Sequence, residues 1–586
     1  MTQPRLSALQ HSAIRRQLDK ITAHGLFARS DRMARFLRLA VDRALAGKEV
    51  ELKEYLIGVE VFDRPHTYDP RVDPIVRVEA RRLRSKLKTY YETDGRNDSI
   101  VFHFATGSYA PDICFREDQP AAMPEAAPRT MAVLPFSNLS QSADNDYFSD
   151  GLTEELIHAL TKFSGMRVVA WNSAARMRGT DEDVREVRRQ LHVANVLTGS
   201  VRIAGQSLRV RAQLIDTATG VYLWSETFDR QMQDVFAIQE EIARAIVRTL
   251  RVQLEAGADT EVGARRPTTV TSYEFYLKGR YHLHRRTPDE LQRALEYFQA
   301  AVAADGSSGL AYAGLADGYC LNVDYGLLHP AEGFPKIRAA ASRAIEIDAG
   351  LAEAYPSLAV IRSQRDREWE DAERLYRKAI ALNPGYATAH HWLATDFLAV
   401  LGRFEEATEE IEVALELDPL SSIIHEGRAS FHTYQRRYEE AVQRFRELVE
   451  FDPSFYKGYT GMGRAYAQLG NYAEARAMFE KGRALAGDVP NIVSAIGQVL
   501  AASGDASGAY ESLAQLTARA RETYVPSTSF ALLHLSLGET ERALDWLETG
   551  CEQHELTVAM INVHPVYDPL RAEPRFQALL RQMRFP

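Results

Sequence analysis

The clearest hydrophobic pattern in the chain is a repeat of about 34 residues in its C-terminal half. Alanine recurs at this interval, and a large apolar side chain follows each alanine by four residues. Glycine precedes four of the alanines by five residues, and proline closes three of the units. A small side chain lets two helices cross closely, glycine suits the turn between them, and proline cannot continue the second helix. The repeated alanines are Ala372, Ala407, Ala441, Ala475, Ala509 and Ala543.

The other repeat positions are equally regular. The glycines are Gly402, Gly470, Gly504 and Gly538, the large apolar residues are Tyr376, Ile411, Phe445, Phe479, Leu513 and Leu547, and the prolines are Pro384, Pro419 and Pro453. This pattern resembles the tetratricopeptide repeat (TPR), a stacked helix-turn-helix array. Segments from Arg293 and from Lys336 look like degenerate second helices. Residues 270–586 are therefore predicted to form an all-α TPR superhelix of six clear and up to about nine repeats, ended by a capping helix. Such arrays offer concave surfaces to proteins or peptides.

A second helical pattern lies near residues 73–98 and carries two stripes. Val76, Ala80, Leu83, Leu87 and Tyr91 recur at helical spacing and predict a buried face, which Asp73 and Pro74 would start. The cations one residue later form a row beside it, and a cationic row on an anchored helix suits the phosphates of duplex DNA. The predicted DNA-binding residues are Arg77, Arg81, Arg84 and Lys88. Arg82 and Lys86 point elsewhere on the helix and are expected to be solvated or to touch phosphate.

The residues around this basic helix predict a winged helix-turn-helix domain over residues 1–115. Two earlier amphipathic segments read as helices, one containing Phe36 and one with the text LKEYLIGVEVF. Downstream, SIVFHF alternates, Thr106 and Gly107 form a turn, and the text resumes at Ser108 before Pro111, which predicts a hairpin. IVRVEARRLRSKL followed by GSY resembles the recognition helix and wing of OmpR-type regulators. The resemblance implies that the helix enters the major groove and that the wing touches the DNA backbone. The N-terminal strands of the OmpR type are not evident, and the approach to the helix is longer.

Residues 130–255 read as strands and helices in the order βαβαβββ, followed by a helix, which predicts an α/β domain with a mixed sheet. The phrases AVLPFSNLS, YFSDGLTEELI, LTGSVR and LWSETFDR resemble the FlgO/TolB-type domain of bacterial proteins. That resemblance implies a binding or assembly role without known catalysis. Residues 116–129 and 256–269 are predicted linkers, since both are rich in small or polar residues without an apolar stripe.

The N-terminal part of the chain is basic and the rest is acidic. The formal net charge is −10, yet residues 1–115 carry a net charge of +5 and the remainder −15. Three distant cysteines, Cys114, Cys320 and Cys551, exclude a disulfide scaffold and a zinc finger. The sequence has no run of 18 apolar residues and no signal-peptide pattern at its start, so a cytoplasmic protein without a membrane partner is expected.

Candidate chemistry is sparse along the sequence. It contains no GxxxxGK[ST] phosphate loop and no HExxH zinc motif. Asp144, Asp146 and Asp150 resemble a metal cluster, but they lack the glycine and terminal glutamate of a calcium loop. A helix-capping role of Asp150 or Thr153 is favoured instead. We therefore predict no catalytic residue, no metal and no cofactor.

Two functions remain open from the sequence. The first is a one-component transcriptional regulator that binds duplex DNA and senses a protein, peptide or small ligand through its α/β and TPR modules. The alternative is a non-catalytic TPR scaffold or signalling adaptor associated with cyclic-nucleotide signalling. Many bacterial proteins that resemble this chain in its middle and repeat regions carry an N-terminal class III adenylate cyclase domain. The basic unit takes that place here and is too short for a cyclase domain.

Overall fold

The fold is described in two compact units, Met1–Glu125 and Ala126–Pro586. A computed structural model describes residues 8–28, 31–45, 48, 52–65, 67–70, 73–92, 95, 98, 100–104, 108–115, 130–140, 145–161, 163, 165–179, 183–232, 235–250 and 269–586. The predicted linker 116–129 and most of the predicted linker 256–269 lie outside these ranges. The finer domain boundaries therefore stay predictions.

The first unit consists of helices followed by an antiparallel hairpin. Its elements are Ala8–Ala23 (α1), Gly25–Ala28 (α2), Asp31–Leu45 (α3), Glu54–Glu60 (α4), Ile75–Glu92 (α5), Ile100–His103 (β1) and Asp112–Phe115 (β2). One hydrophobic core joins all five helices to β1, with Ile21, Phe36, Ile57, Leu83 and Phe102 at its centre. The helical segments predicted around Phe36 and within LKEYLIGVEVF correspond to α3 and α4.

A buried carboxylate ties the ends of this unit together. Asp98 accepts hydrogen bonds from Lys20 Nζ at 2.5 Å, from Tyr90 Oη at 2.7 Å and from Gln17 Nε2. Burial alone would raise the pKa of Asp98, but the hydrogen bonds from Lys20, Gln17 and Tyr90 hold it below its usual value. The network anchors α1 to the segment between α5 and β1.

Three sequence expectations for this unit need correction. The second arm of the hairpin is Asp112–Phe115, after Pro111, whereas the sequence placed it at Ser108–Ala110. The last fully buried position of α5 is Tyr90, and Tyr91 is partly buried. Helices α1 and α2 were not predicted. The predicted turn at Thr106 and Gly107 lies outside the described residues.

The second unit begins with a mixed α/β sheet. Its elements are Thr130–Val133 (β3), Ser137–Asn138 (β4), Asp146–Thr161 (α6), Arg167–Val168 (β5), Trp171–Arg176 (α7), Val184–Leu191 (α8), Asn195–Ala204 (β6), Ser207–Asp216 (β7), Tyr222–Gln231 (β8) and Val235–Thr249 (α9). The strand order is β5-β3-β6-β7-β8, and β4 also pairs with β6. β3 pairs in parallel with β5 and β6, and β4 pairs in parallel with β6, whereas the β6–β7 and β7–β8 pairs are antiparallel. The predicted mixed sheet is confirmed.

The predicted caps of the first α/β helix are wrong by one turn or more. Helix α6 already begins at Asp146, so Asp150 and Thr153 lie within it. Thr153 Oγ1 donates to Ser149 O at 2.8 Å and accepts a hydrogen bond from Phe136 N at 3.0 Å. The sequence also missed α7, because six residues are too few to show helical periodicity.

The repeat region follows as antiparallel helical pairs. Its helices are Val270–Leu283 (α10), Pro288–Ala304 (α11), Gly309–Asp324 (α12), Pro330–Ile347 (α13), Ala354–Val360 (α14), Trp369–Leu382 (α15), Ala387–Trp392 (α16), Phe404–Leu417 (α17), Ser422–Tyr434 (α18), Tyr438–Phe451 (α19), Tyr456–Gln468 (α20), Tyr472–Ala486 (α21), Pro490–Ala502 (α22), Ala506–Arg519 (α23), Ser527–Ser536 (α24), Thr540–Glu552 (α25) and Pro574–Gln582 (α26). Short π-helical turns at Ile361–Arg365 and Leu393–Leu398 extend α14 and α16. Turns of 3-10 helix at Leu556–Asn562 and Pro565–Leu570 precede α26.

The repeat pattern read from the sequence is present in the packing. All six repeated alanines are fully buried, and the four glycines have positive φ angles of 77° to 93°. Two repeats carry arginine where the others carry glycine. Arg367 and Arg436 adopt the same left-handed conformation, with φ of 58° and 62°. A residue with a Cβ pays about 1–2 kcal/mol for this conformation, so these arginines are strained positions.

The α/β region and the repeats share buried contacts. Asp418 lies directly after α17 and accepts hydrogen bonds from Ser173 N and Asn172 Nδ2, both at 2.9 Å, and from Ser173 Oγ. On a neighbouring helix, Glu154 of α6 pairs with Arg280 and His284. Burial would raise the pKa of Glu154, but Arg280 and His284 hold it well below its usual range. These contacts fix α6 and α7 against the repeat array.

Candidate nucleic-acid interface

Helix α5 presents a solvent-exposed row opposite its buried stripe. Val78, Arg81, Arg82, Ser85 and Thr89 are all exposed, whereas the buried stripe faces the core of the first unit. Val78 is unusual among them, since 44% of an apolar residue is exposed between cations. The α5 outer row, defined as these five residues, is the part of the helix most open to a partner.

Arg77 is exposed by 52% but tied to its own unit. Its Nε lies 3.2 Å from Glu54 Oε2, and its Nη2 donates to Pro70 O. Glu54 also accepts a hydrogen bond from Tyr109 Oη at 2.7 Å. Arg77 therefore joins α5 to α4, and its charge is partly offset by Glu54.

Arg84 points inward. It is half-buried, its Nη2 donates to Ser108 O at 3.0 Å, and its Nε is buried with no hydrogen-bond partner among the described residues. Its position supports the segment between β1 and β2. The structure therefore gives Arg84 a structural contact where the sequence placed a DNA-facing side chain.

The other cations of α5 divide in the same way. Arg81 is exposed and has no ion-pair partner in the part of the chain that the structure describes. Arg82 pairs with Glu79 at 2.6 Å and stays 67% exposed. Lys86 donates to Leu26 O and lies 5.8 Å from the Phe27 ring, which makes it structural. The side chain of Lys88 lies outside the described residues.

The predicted DNA-binding residues whose side chains the structure describes thus do not share one exposed face. Of the three whose side chains are described, Arg81 is fully presented, Arg77 is paired and Arg84 is turned inward. Arg82, which the sequence placed off the predicted row as a solvated or phosphate-touching residue, is exposed on the α5 outer row. On a helical wheel, the positions farthest from the buried stripe are 78, 81, 82, 85 and 89. The predicted row, which follows each buried position by one residue, lies nearer to the side of the helix.

A second candidate site is a cavity of about 1780 Å³ in the second unit. Residues from α6, α7 and the repeat helices line it, including Arg286, Lys457 and Arg464. Arg286 and Arg464 have no ion-pair partner within the described ranges, whereas Lys457 Nζ lies 3.9 Å from Asp324 Oδ2 and 4.5 Å from the Tyr325 ring centre. The cavity exceeds the usual 300–1,000 Å³ of small-molecule pockets.

Two titratable side chains near these cations have pKa values shifted from their ordinary values. Burial, followed by the charge of Asp324, raises the pKa of Asp396 to about 7. Burial, followed by the charges of Arg286 and Lys457, lowers the pKa of His391 to about 3. Burial therefore shifts both side chains toward their neutral forms.

The described residues offer no cluster of three or more His, Cys, Asp or Glu side chains that could hold a metal ion. Asp146 accepts a hydrogen bond from Asn138 at 2.9 Å, and Asp150 pairs with Arg178 at 2.6 Å. Asp144 lies outside the described residues. Across the described ranges, none of the helices combines the length and apolar character that crossing a bilayer requires.

Comparison with known families names two parts of the chain. Residues 127–245 match the HilA/YgeH-like transcriptional regulator, second domain. The α/β region is a HilA-like regulator domain. Residues 363–422, 398–454 and 433–499 match tetratricopeptide repeat families, which confirms the predicted repeat type.

The curated relatives of this chain include a protein named as a transcriptional regulator and one named as an adenylate cyclase. Transcriptional regulator HilA of Salmonella typhimurium is 23% identical over 329 residues, which cover 56% of this chain and 57% of HilA. "Putative adenylate cyclase 3" of Rhizobium meliloti is 43% identical over 151 residues, which cover 26% of each chain. The chain thus spans between about a quarter and just over half of the length of these relatives.

Two of the solved structures that are similar to this chain have low TM-scores and low sequence identity. The structure from the functional characterization of Pseudomonas aeruginosa pilF has a TM-score of 0.30 and 20% identity, and covers 40% of this chain and 97% of pilF. The human IFIT1 dimer with PPP-AAAA has a TM-score of 0.39 and 17% identity, and covers 57% of this chain and 77% of IFIT1.

Proposed function

We propose that the protein is a cytoplasmic, non-enzymatic one-component transcriptional regulator. The observation that carries the proposal is the α5 outer row, a cation-bearing helix face fixed to a core and followed by the β1–β2 hairpin. The HilA-like domain at residues 127–245 supports the regulatory role. Helix α5 would be the recognition helix of a winged helix-turn-helix domain, and the hairpin would be its wing.

The geometry revises which residues would touch DNA. Arg81 and Arg82 project from the α5 outer row, where guanidinium groups can contact phosphates or the guanine edge in the major groove. Arg77 and Lys88 flank that row, and Arg77 would exchange part of its pairing with Glu54 for phosphate. Arg84 would hold the hairpin segment in place through Ser108.

The test compares the affinity of the full-length chain for duplex DNA with that of Arg81→Ala. A matched control is Arg16→Ala on α1, because Arg16 is also exposed and without an ion-pair partner among the described residues. Loss of one phosphate or guanine contact should weaken binding about tenfold in the first variant and leave the second unchanged. Equal affinities of all three proteins would contradict the proposal.

The cavity of the second unit would accept a protein or peptide segment. Its volume and its length along the repeat helices exceed what a small ligand needs, and TPR arrays favour extended peptides. The FlgO/TolB-type resemblance of this region fits the same binding role. Occupation of the cavity would be sensed through α6 and α7, since both line it and pack against repeats.

The cavity also supports the second candidate, a TPR scaffold or signalling adaptor associated with cyclic-nucleotide signalling. The relative named as an adenylate cyclase motivates the signalling part. Isolation of the protein with stable protein partners and with no DNA crosslinked would favour the adaptor, whereas recovery of discrete genomic sites would favour the regulator.

A further inference from the structure

The sheet of the HilA-like domain leaves part of one face open to solvent. Along β7, Leu208, Val210 and Ala212 are buried in the core that also contains side chains of α6 and α9. The alternate residues Arg209 and Arg211 are exposed on the opposite face. Since side chains alternate across a strand, both arginines lie on the side of the sheet away from that core.

Strand pairing brings a third arginine to the same place. Arg202 of β6 lies directly opposite Arg209, and Arg211 lies between Ser200 of β6 and Thr227 of β8. Residues i and i+2 of one strand are about 7 Å apart, and directly opposed Cβ atoms are about 5 Å apart. We name Arg202, Arg209 and Arg211 the basic face.

The basic face has little compensation from the chain itself. Arg209 Nε lies 2.5 Å from Asp229 Oδ1, and both side chains are about 60% exposed. Arg202 and Arg211 are exposed and have no ion-pair partner within the described ranges. Two like charges in opposed positions destabilise a sheet, and the pairing of Arg209 with Asp229 offsets the cost of placing Arg202 opposite Arg209 only in part. An external anion would remove that cost.

The neighbours of the basic face indicate the kind of anion. The register positions around it hold hydroxyl and amide side chains, namely Thr198, Ser200, Gln213, Ser225 and Thr227. None of these five positions holds an aromatic side chain on which unpaired bases could stack. Guanidinium groups and exposed hydroxyls suit the phosphate oxygens of a nucleic-acid backbone. In a chain of net charge −10, this cluster of arginines is locally positive.

We propose that the basic face binds the phosphate backbone of duplex DNA as a contact separate from helix α5. The proposal extends the proposed function, because it assigns DNA binding to the HilA-like domain as well as to the first unit. Arg202 and Arg211 each neutralise one phosphate, and Arg209 keeps Asp229 as a partner that orients it. The contact carries no base readout, so it strengthens binding to all sequences alike.

The experiment measures binding of the full-length chain to a mixed-sequence duplex over a salt series. The variant is Arg202→Gln with Arg211→Gln, and the control is Arg185→Gln with Arg476→Gln, which removes two other exposed arginines without ion-pair partners in the described residues. Each lost phosphate contact makes the negative slope of log K against log salt shallower by about 0.9, so the variant slope should be about 1.8 less negative than that of the wild type. The control slope should equal that of the wild type.

A fold check separates binding from stability. Removing Arg202 relieves the like-charge pair, so the thermal midpoint of the variant should equal or exceed that of the wild type. The proposal would be overturned if the slope of the variant equalled that of the wild type, or if the control slope became shallower by the same amount. It would also be overturned if the wild type bound a single-stranded RNA of the same length more tightly than the duplex, and the variant lost that RNA binding.

A parallel variant, Arg81→Gln with Arg82→Gln, keeps the two claims apart. If the salt dependence of binding weakens in this variant and not in the basic-face variant, the role of α5 stands and the basic-face proposal fails. If the salt dependence of binding weakens only in the basic-face variant, the basic-face proposal stands and the role of α5 fails. Absence of any duplex binding by the wild type would remove both.

Discussion

Arg436 and Asp568 form a two-point ion pair between residues 132 positions apart, with distances of 2.6 Å from Nη2 to Oδ1 and 3.0 Å from Nε to Oδ2. Arg367 makes a related contact, because its Nη1 donates to Gln582 O at 2.7 Å. Both arginines occupy the turn position that is glycine in four other repeats. The left-handed turns therefore place two guanidinium groups against the C-terminal segment, which closes the repeat array on itself.

Substitution of Arg436 should show that strain and pairing oppose each other. Arg436→Gly loses the ion pair with Asp568 but removes the left-handed strain, so its stability should stay close to that of the wild type. Arg436→Ala loses the pair and keeps the strain, so it should be about 1 kcal/mol less stable than Arg436→Gly. Urea unfolding followed by circular dichroism measures the difference. Equal midpoints for the two variants would show that the turn is unstrained.

The Asp98 network should govern the acid stability of the first unit. The pKa of Asp98 is lowered in the folded state, so its contribution is complete above the unfolded value of about 3.9 and is lost as the pH falls through the folded value. Asp98→Asn should lower stability by about 2 kcal/mol at pH 7, since it weakens charged hydrogen bonds to Lys20 and Tyr90. Hydrogen exchange of α1 and α5 reports on this unit. The deficit should shrink as the pH falls below about 4, and a deficit independent of pH would contradict this account.

The contact between Asp418 and Ser173 should stabilise the docking of α7 on the repeats. Asp418→Ala leaves Ser173 N and two side-chain donors without their acceptor, which should cost about 3 kcal/mol. The matched control is Glu416→Ala, because Glu416 pairs with Arg167 at 3.4 Å but is 67% exposed. That control should cost less than about 0.5 kcal/mol. Limited proteolysis between α7 and α8 gives the readout, and equal protection in both variants would disprove the assignment.

Asp396 should make the repeat region less stable as the pH rises. Its pKa is raised to about 7, so the folded chain holds the proton that the unfolded chain releases near 3.9, and stability falls as the pH rises between these values. Asp396→Asn removes this dependence. Relative to the wild type it should gain about 2 kcal/mol between pH 4 and pH 8, roughly half the value implied by the shift, because the side chain is partly exposed. Thermal unfolding of both proteins across that range is the measurement, and parallel curves would contradict the assignment.

The sequence predicts this fold well where a periodic pattern continues over many residues. It predicts the fold poorly where a contact joins residues that are far apart in the sequence. The repeat spacing located buried Ala372 and Ala543 correctly, because each repeat meets only its neighbours and carries the same packing rule. Strands β6 and β7 also follow the apolar and polar alternation that predicts consecutive strands late in the α/β region. The inward turn of Arg84 toward Ser108 depends on where the hairpin segment runs, which no local pattern encodes. The same holds for Asp418 and Ser173, which lie 245 residues apart.

The most direct test of the central claim is the salt dependence of duplex DNA binding by the full-length chain and by Arg81→Gln/Arg82→Gln. If the α5 outer row lies against DNA, the wild type should show a steep negative slope of log K against log salt. The slope should be about 1.8 less negative in the variant. A wild-type slope near zero, or a variant slope equal to that of the wild type, would contradict the role assigned to helix α5.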